Sequence, residues 1–147
     1  MTAKRSSPIA SVAASNAPEV ADCQILVLDD DPIVVDEAVE VLEHAGFDCV
    51  GETDPLAALF TCMRRSEISV VVTAVKIPGL SGFEVARYLR ERLAPERKIA
   101  VIAVFDRAGA GHAIEALRAG CHDILDKPLC PDQLVRAVGR ALETLRA

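Results

Sequence analysis

The sequence predicts a doubly wound α/β domain, with a five-stranded parallel sheet and five helices. Between residues 24 and 146, short apolar runs alternate five times with segments whose apolar residues recur at helical spacing. Strands that alternate with helices imply parallel pairing, right-handed crossovers and helices on both faces of the sheet. Hydrophobic residues make up 51% of the chain and aromatic residues only 3%, a composition that suits an aliphatic α/β core. A length of 147 residues favours one domain.

The first β-α unit shows the pattern most clearly. The run QILVL at residues 24–28 ends in three aspartates, as expected where a buried strand opens onto a polar edge. Asp31 can cap the next helix, and Pro32 suits its first position. Gly46 is expected to end that helix.

The remaining four units repeat this pattern with other sequences. Asp54 and Pro55 start the second helix, and Asp132 can cap the last one. The predicted strands are 47–51, 68–74, 98–105 and 123–125, and the predicted helices are 55–65, 83–92, 111–119 and 133–145.

The ends and the cysteines of the chain suggest its setting. Residues 1–21 lack a sustained period and contain two prolines, which predicts a flexible arm before a domain at 22–147. No segment has the apolar length of a signal peptide or a membrane span, so we expect a cytoplasmic protein without membrane contact. Five cysteines without a CxxC pair favour reduced thiols over a zinc site or disulfides. The chain ends at Ala147 directly after the last helix, which favours a stand-alone domain.

The charge balance argues against one class of partner. The chain has 16 basic and 22 acidic residues and a formal net charge of -6. Such a surface repels nucleic-acid phosphates, so direct binding of nucleic acid is not expected.

Three charged residues are predicted to meet at the carboxyl edge of the sheet, where ligands of such folds collect. Asp29 and Asp30 follow the first strand, and Lys127 follows the fifth. Paired carboxylates suit Mg²⁺, and an ammonium can hold an anion. The alternative interpretation is that these are solvated loop residues.

Three segments, ILVLDDDP, KIPGLSGFEVARYLR and GCHDILDKPL, occur in an order and spacing that resemble the receiver domain of bacterial response regulators. The resemblance covers about residues 24–146 and implies a flavodoxin-like (CheY-like) fold. In that family, an aspartate at the end of the third strand accepts a phosphoryl group. The resemblance assigns the acid pair that holds Mg²⁺ to Asp29 and Asp30, and the lysine that contacts the phosphoryl oxygens to Lys127.

The sequence departs from the family at the acceptor position. The family's aspartate lies four residues before the proline of a PG loop, and four residues before Pro78 stands Ala74. No Asp or Glu occurs between Glu67 and Glu84, so no shift of the alignment recovers a carboxylate. Thr73 is not expected to substitute, because neighbouring strand residues point to opposite faces. The resemblance therefore implies a degenerate receiver without a catalytic residue, and not an enzyme.

Two further departures affect the residues that read phosphorylation in this family. Phe105 stands where a Thr or Ser is usual, and Ile124 stands where an aromatic residue is usual. Both are interpreted as core-filling residues. Three departures together favour natural degeneracy over the alternative, an active receiver silenced by an engineered alanine.

Without the third carboxylate, the charged pocket has a different expected arrangement. Lys127 can pair directly with Asp29 or Asp30, forming an internal ion pair in place of a metal site. No cofactor is therefore expected, and Mg²⁺ on Asp29 and Asp30 is kept as a weaker alternative.

The functional expectation is an atypical single-domain response regulator that signals through protein-protein interaction without phosphorylation. Expected partners are a histidine kinase, another response regulator or an effector protein, and homodimerisation is left open. The face of helix four, strand five and helix five is the expected interface, and its charged residues are His112, Glu115, Arg118, Arg136 and Arg140. The alternative is an anion- or Mg²⁺-binding sensor or a weak participant in a phosphorelay.

Overall fold

The computed structural model of the protein describes residues 24–93, 95–106 and 110–146. Within these ranges, β1 is Gln24–Leu28, α1 Pro32–His44, β2 Asp48–Glu52, α2 Pro55–Arg64, β3 Ile68–Ala74, α3 Gly82–Arg92, β4 Ala100–Phe105, α4 Ala110–Arg118, β5 Asp123–Asp126 and α5 Pro131–Arg146. The five strands form one parallel sheet in the order β2-β1-β3-β4-β5. The predicted fold class is confirmed, and the arm predicted at residues 1–21 lies outside the described residues.

Helices cover both faces of the sheet, which explains why its central strands are mostly apolar. Every residue of β1 and β4 is buried. On one face, α2, α3 and α4 pack against the sheet through residues such as Leu59, Val85 and Ala116. On the other face, α1 and α5 pack through residues such as Leu42 and Val138. No helix in the described ranges is both long enough and apolar enough to cross a membrane.

The predicted helix starts are confirmed at α1 and α2 and wrong at α5. Asp31 accepts a hydrogen bond from the amide of Ile33 at 3.0 Å, and Asp54 accepts one from the amide of Ala57 at 2.9 Å. By contrast, α5 begins at Pro131, so Asp132 lies inside its first turn and does not precede it. Proline has no amide hydrogen to satisfy and its fixed φ suits the first helical position, which is why the helix starts at Pro131 and not after Asp132.

The parallel sheet brings one end of every strand to the same edge. Asp29 directly follows β1, Asp106 follows β4 and Lys127 follows β5. The carboxyl ends of β1, β3, β4 and β5 lie side by side because these strands are neighbours in the sheet. This edge therefore places the charged residues that the sequence singled out close to the end of β3.

Candidate functional site

A lysine and two aspartates form the charged centre of the carboxyl edge. Lys127 Nζ lies 2.8 Å from Asp29 Oδ2 and 3.4 Å from Asp106 Oδ1. The side chain of Asp29 is 4% exposed and that of Lys127 24% exposed, whereas Asp106 is 61% exposed. The closer contact is thus the more shielded one, so Asp29 is the main partner of the ammonium.

Asp29 has a partner on each side of its carboxylate. Its Oδ1 accepts a hydrogen bond from the amide of Asp31 at 2.9 Å, while Oδ2 contacts Lys127. Its own amide donates to the carbonyl of Glu52 at 3.3 Å. Asp30 is exposed and takes no part in these contacts. Lys127 was predicted to pair with Asp29 or Asp30. In the structure it pairs with Asp29, and its second carboxylate neighbour is Asp106 and not Asp30.

The pKa of Lys127 reflects two opposing effects. Burial alone lowers the pKa of the ammonium, because it removes water from the charged form. The hydrogen bond and the negative charge of Asp29, with a smaller contribution from Asp106, outweigh burial and raise the pKa above its ordinary value. Lys127 is therefore a fixed cation throughout the neutral pH range.

Ala74 ends β3 beside this charged centre. Its side chain is a methyl group and the residue is 3% exposed. The hydroxyl of the neighbouring Thr73, which is fully buried, donates to the carbonyl of Ala74 at 2.9 Å. The start of α3 packs so closely here that a side chain at Gly82 would collide with the Ala74 carbonyl. The end of β3 is thus held tightly and offers a methyl group as its side chain.

Phe105, at the end of β4, fills the space between α3 and α4. It is 4% exposed, and its ring centre lies 5.8 Å from that of Phe83 in a tilted contact. On its other side it stacks on His112, with ring centres 4.5 Å apart and an angle of 10° between the planes. Ile124 is half-buried and packs against the same core. The ring contact with His112 was not anticipated from the sequence, because it depends on how α4 is placed against β4.

The charged residues predicted for the interface have different surroundings. Arg140 donates to Asp123 Oδ2 at 2.8 Å, joining α5 to β5. His112 is half-buried by its stacking on Phe105. The other three, Glu115, Arg118 and Arg136, are exposed. The sequence reasoning did not single out two large apolar residues on α4, Ile114 and Leu117, which are 55% and 74% exposed.

The residues at the carboxyl edge do not fit a resident Mg²⁺ in this arrangement. Both oxygens of Asp29 are engaged by other groups, and Ala74 supplies no side-chain oxygen. In the part of the chain that is described, no group of three or more His, Cys, Asp or Glu residues is placed to hold a metal ion. Mg²⁺ usually takes one or two free carboxylates plus further oxygen ligands.

Two depressions open beside the charged centre. A cleft of about 620 Å³ is lined by charged, polar and apolar residues of the loops after β1, β3, β4 and β5: Asp30, Val75, Lys76, Ile77, Pro78, Ser81, Asp106 and Lys127. A larger groove of about 1050 Å³ runs between α1 and α5 and reaches Asp106 and Lys127 at one end. Lys127 therefore remains within reach of a ligand although its ammonium is paired.

Comparisons with known proteins all point to the same family. The family model of the response regulator receiver domain matches residues 25–139. The C4-dicarboxylate transport transcriptional regulatory protein DctD of Pseudomonas aeruginosa is 34% identical over 130 residues, which cover 88% of this chain and 27% of that protein. The transcriptional regulatory protein FixJ of Azorhizobium caulinodans is 31% identical, with 79% of this chain and 53% of that protein covered. The chain thus spans about a quarter to a half of these relatives.

Solved structures agree with the sequence relatives. A receiver domain protein from Clostridium thermocellum has a TM-score of 0.76 and 26% identity, over 84% of this chain and 97% of that chain. The chemotaxis protein CheY4 of Vibrio cholerae has a TM-score of 0.74 over 81% of this chain and 98% of that chain, and at 20% identity it supports the fold alone. The chain therefore belongs to the response regulator receiver domain family of two-component signalling.

Proposed function

We propose that this receiver domain signals by protein-protein interaction that requires no phosphoryl transfer. Ala74 occupies the position that the family resemblance assigns to the phosphorylated aspartate. The observation that carries the proposal is the direct pairing of Lys127 with Asp29 at 2.8 Å, beside a strand end that presents a methyl group. The domain is proposed to be a degenerate receiver that holds one conformation.

The chemistry of the strand end supports this reading. Attack on phosphorus needs a lone pair on the attacking atom, and the methyl group of Ala74 has none. The hydroxyl of Thr73 has one, but it is fully buried and bonded to the Ala74 carbonyl. Asp29, the buried carboxylate nearby, is committed to Lys127 and to the amide of Asp31. A phosphodonor therefore meets no free buried nucleophile at this edge among the described residues.

The packing around Phe105 supports a single conformation. A hydroxyl at this position could move toward a phosphoryl group, whereas the Phe105 ring is fixed between Phe83 and His112. Moving a buried aromatic ring opens a cavity and costs free energy. Ile124 is a smaller group that already packs against the core. We infer that the residues named as switch positions, Phe105 and Ile124, keep α4 in place.

A partner is proposed to recognise the face formed by α4, β5 and α5. This face combines exposed charges at Glu115, Arg118 and Arg136 with exposed apolar groups at Ile114 and Leu117. Apolar residues with charged neighbours are common at protein-protein interfaces. Candidate partners are a histidine kinase, another response regulator or an effector protein, which are the partners that membership of the receiver family implies.

The test of the chemical part is intact mass after incubation with Mg²⁺ and acetyl phosphate. Wild-type protein is expected to keep its mass, and the matched Ala74→Asp variant is expected to gain one phosphoryl group. The variant shows that the donor and the conditions are effective. A phosphoryl group on the wild-type chain would overturn the proposal.

The test of the interface uses charge reversal on the exposed face. Arg118→Glu and Arg136→Glu, tested against a purified candidate histidine kinase or response regulator, are expected to weaken binding at least tenfold together. Arg87→Glu, an exposed change on α3, is the matched control and should leave binding unchanged. Equal binding by all variants would remove this face from the proposal.

A second candidate function, an anion sensor or weak phosphorelay participant, is favoured by the cleft at the carboxyl edge. Lys76 and Lys127 both line it, together with Ser81. An inorganic phosphate titration followed by thermal unfolding, with and without Mg²⁺, distinguishes this candidate. A saturable stabilisation that Lys76→Gln reduces would support it, and no stabilisation up to millimolar phosphate would exclude it.

A further inference from the structure

The groove between α1 and α5 has an aliphatic floor. Its volume is about 1050 Å³. Among the residues that line it, Ala38 and Leu134 are buried, and Val34, Val41 and Val135 are half-buried. We call this depression the α1/α5 groove and define its floor by these five residues. A groove with an apolar floor that stays open to solvent is a common form of binding surface.

The rim of the α1/α5 groove is acidic. It carries four exposed carboxylates, those of Glu37, Glu40, Asp106 and Asp132. Lys127 approaches Asp106 but has Asp29 as its closer partner, and the other three acids form no ion pair within the described ranges. The groove therefore suits an occupant with small aliphatic side chains and a positive charge.

The residues that precede β1 have this composition. Residues 1–23 lie outside the described ranges and join the domain at Gln24. Among the first 18 residues, Lys4 and Arg5 are the only charged side chains, and the first acid is Glu19. The segment PIASVAAS, at residues 8–15, follows the two cations and carries mainly small aliphatic side chains.

We propose that residues 8–15 bind in the α1/α5 groove of the same chain, with Lys4 and Arg5 at its acidic rim. In this position the segment covers the aliphatic floor and the end of the groove beside Asp106 and Lys127. The contact is separate from the face of α4, β5 and α5, and it does not depend on the residue at the end of β3.

The path of the chain permits this contact. Gln24, the first residue of β1, pairs with Asp48, which lies three residues after Ala45 at the end of α1. The chain therefore enters β1 at the edge of the sheet where α1 ends, and Ala45 lines the groove at that same edge. Residues 15–24 can span up to about 30 Å, which is enough to reach the groove from β1.

The length of the segment also matches the groove. From Val34 to Ala45, α1 is about 17 Å long, and residues 8–15 can extend over about 25 Å. A segment that runs along α1 away from β1 brings Lys4 and Arg5 to the far end of the groove. The acids at that end are those of Glu37, Asp106 and Asp132.

Covalent attachment favours this occupant over a separate molecule. A stable complex between separate proteins buries ~1,200–2,000 Å², more than the five floor residues of this groove provide. A short linker keeps the attached segment at an effective concentration of about 1 mM, so a contact with a dissociation constant near 1 mM is occupied about half of the time. A second copy of the chain would bring a net charge of -6 to an acidic rim, which is unfavourable.

Photocrosslinking of the full chain tests where the segment lies. With p-benzoylphenylalanine in place of Ile9, irradiation is expected to give crosslinks within one chain to α1 or to the first turns of α5, mapped by peptide mass spectrometry. In this chain, Glu37→Lys with Glu40→Lys should lower the crosslink yield about threefold or more, because both acids lie on the rim. Asp36→Lys with Glu43→Lys, two exposed acids of α1 that do not line the groove, is the matched control and should keep the yield. Circular dichroism confirms that each variant is folded.

Three crosslinking results would overturn the proposal. The first is crosslinks that avoid α1 and α5. The second is crosslinks to these helices that join two chains, because they would assign the groove to a second copy. The third is an equal loss of yield for both pairs of lysine substitutions, because it would show that the rim acids have no special part.

Amide NMR spectra of the full chain test the apolar part of the contact without a probe group. Val12→Asp puts a carboxylate into the segment and is expected to release it, which should shift the amides of Val34, Val41 and Val135 although they are distant in sequence. Ala17→Asp adds the same charge between the segment and β1, and it is the matched control that should leave these amides unchanged. Groove amides that respond to neither substitution, or equally to both, would contradict the proposal.

Discussion

The carboxyl edge of the sheet and the outer side of α2 have opposite characters. At the edge, the Lys127 ammonium has its ion-pair partners within the molecule: it lies 2.8 Å from Asp29 and 3.4 Å from Asp106. On α2, Leu56, Phe60 and Met63 are at least half exposed. The charged centre of the carboxyl edge thus has its partners within the molecule, while α2 leaves large apolar side chains exposed to solvent. This contrast supports the proposal that the domain acts through its surfaces.

The energetics of the two regions follow from this contrast. An ion pair with one buried partner is costly to break, because the remaining charge has lost its water. An exposed apolar side chain contributes little to folding, because it has similar surroundings in the folded and unfolded chain. Changes at the edge should therefore alter stability, and changes on the outer side of α2 should leave it nearly unchanged.

The largest expected difference in unfolding free energy is between alanine variants of two phenylalanines, one buried and one exposed. Phe105→Ala removes a ring that is 4% exposed and packed on Phe83 and His112, and should lower the free energy of unfolding by about 3–5 kcal/mol. Phe60→Ala removes a ring that is 67% exposed and should change it by less than about 0.5 kcal/mol. Urea unfolding at low protein concentration measures both. Equal losses would contradict the contrast.

The next largest difference in unfolding free energy is expected between alanine variants of two neighbouring aspartates. Asp29→Ala leaves Lys127 with the more distant Asp106 alone, and should cost about 2–3 kcal/mol, below the loss for a fully buried pair. Asp30→Ala removes an exposed carboxylate outside these contacts and should cost less than about 0.5 kcal/mol. The same urea experiment applies. A larger loss for Asp30→Ala would mean that the pairing of Lys127 is wrong.

The fold was predictable because its signals are local. The run ISVVVTA gave β3 its bounds at Ile68–Ala74, and Asp31 with Pro32 gave the start of α1. The start of α5 was missed by two residues, because Asp132 and Pro131 both carry starting signals and the helix begins at the proline. The sequence therefore predicts elements and topology well, and single end residues less well.

The candidate site was predictable only in part, because it depends on distances between loops. Lys127 was expected to pair with Asp29 or Asp30, and the structure selects Asp29, whereas the contact from Asp106 depends on how the β4 loop is placed. A usable signal existed, since Asp106 directly follows β4 and must lie at the same edge. The exposed apolar side of α2 also left a signal in PLAALFTCMR, which is apolar at almost every position. A helical wheel of α2 would have found it.

The pH dependence of stability gives a further test of the Lys127–Asp29 ion pair. Because the folded-state pKa of Lys127 is raised, the stability gained from the pair is fully present below the ordinary lysine value of about 10.4, and it is lost as pH rises through the folded-state value. The difference in unfolding free energy between wild type and Asp29→Asn should be constant from about pH 6 to 9 and shrink above about pH 10.5. A difference that already falls at pH 8 would contradict the raised pKa.

The last prediction compares the alkylation rates of buried and exposed cysteines, and it has the smallest expected effect. Burial raises the pKa of Cys62 and of Cys121 to about 11 each, so neither forms thiolate at pH 8. Cys130 is exposed. Brief alkylation of the native chain at pH 8, read by peptide mass spectrometry, should label Cys130 well before Cys62 or Cys121. Early labelling of Cys62 would show that α2 opens from the sheet.

The central claim is that the domain holds one conformation without a phosphoryl group, and the amide NMR spectrum tests it most directly. Spectra of the wild-type chain are recorded before and after addition of Mg²⁺ and acetyl phosphate, with Ala74→Asp as the responsive control. We predict wild-type amide shifts that stay unchanged around Phe105, α4 and Lys127, and clear changes in the variant at the end of β3 and around Lys127. Widespread changes in the wild-type spectrum would contradict the claim.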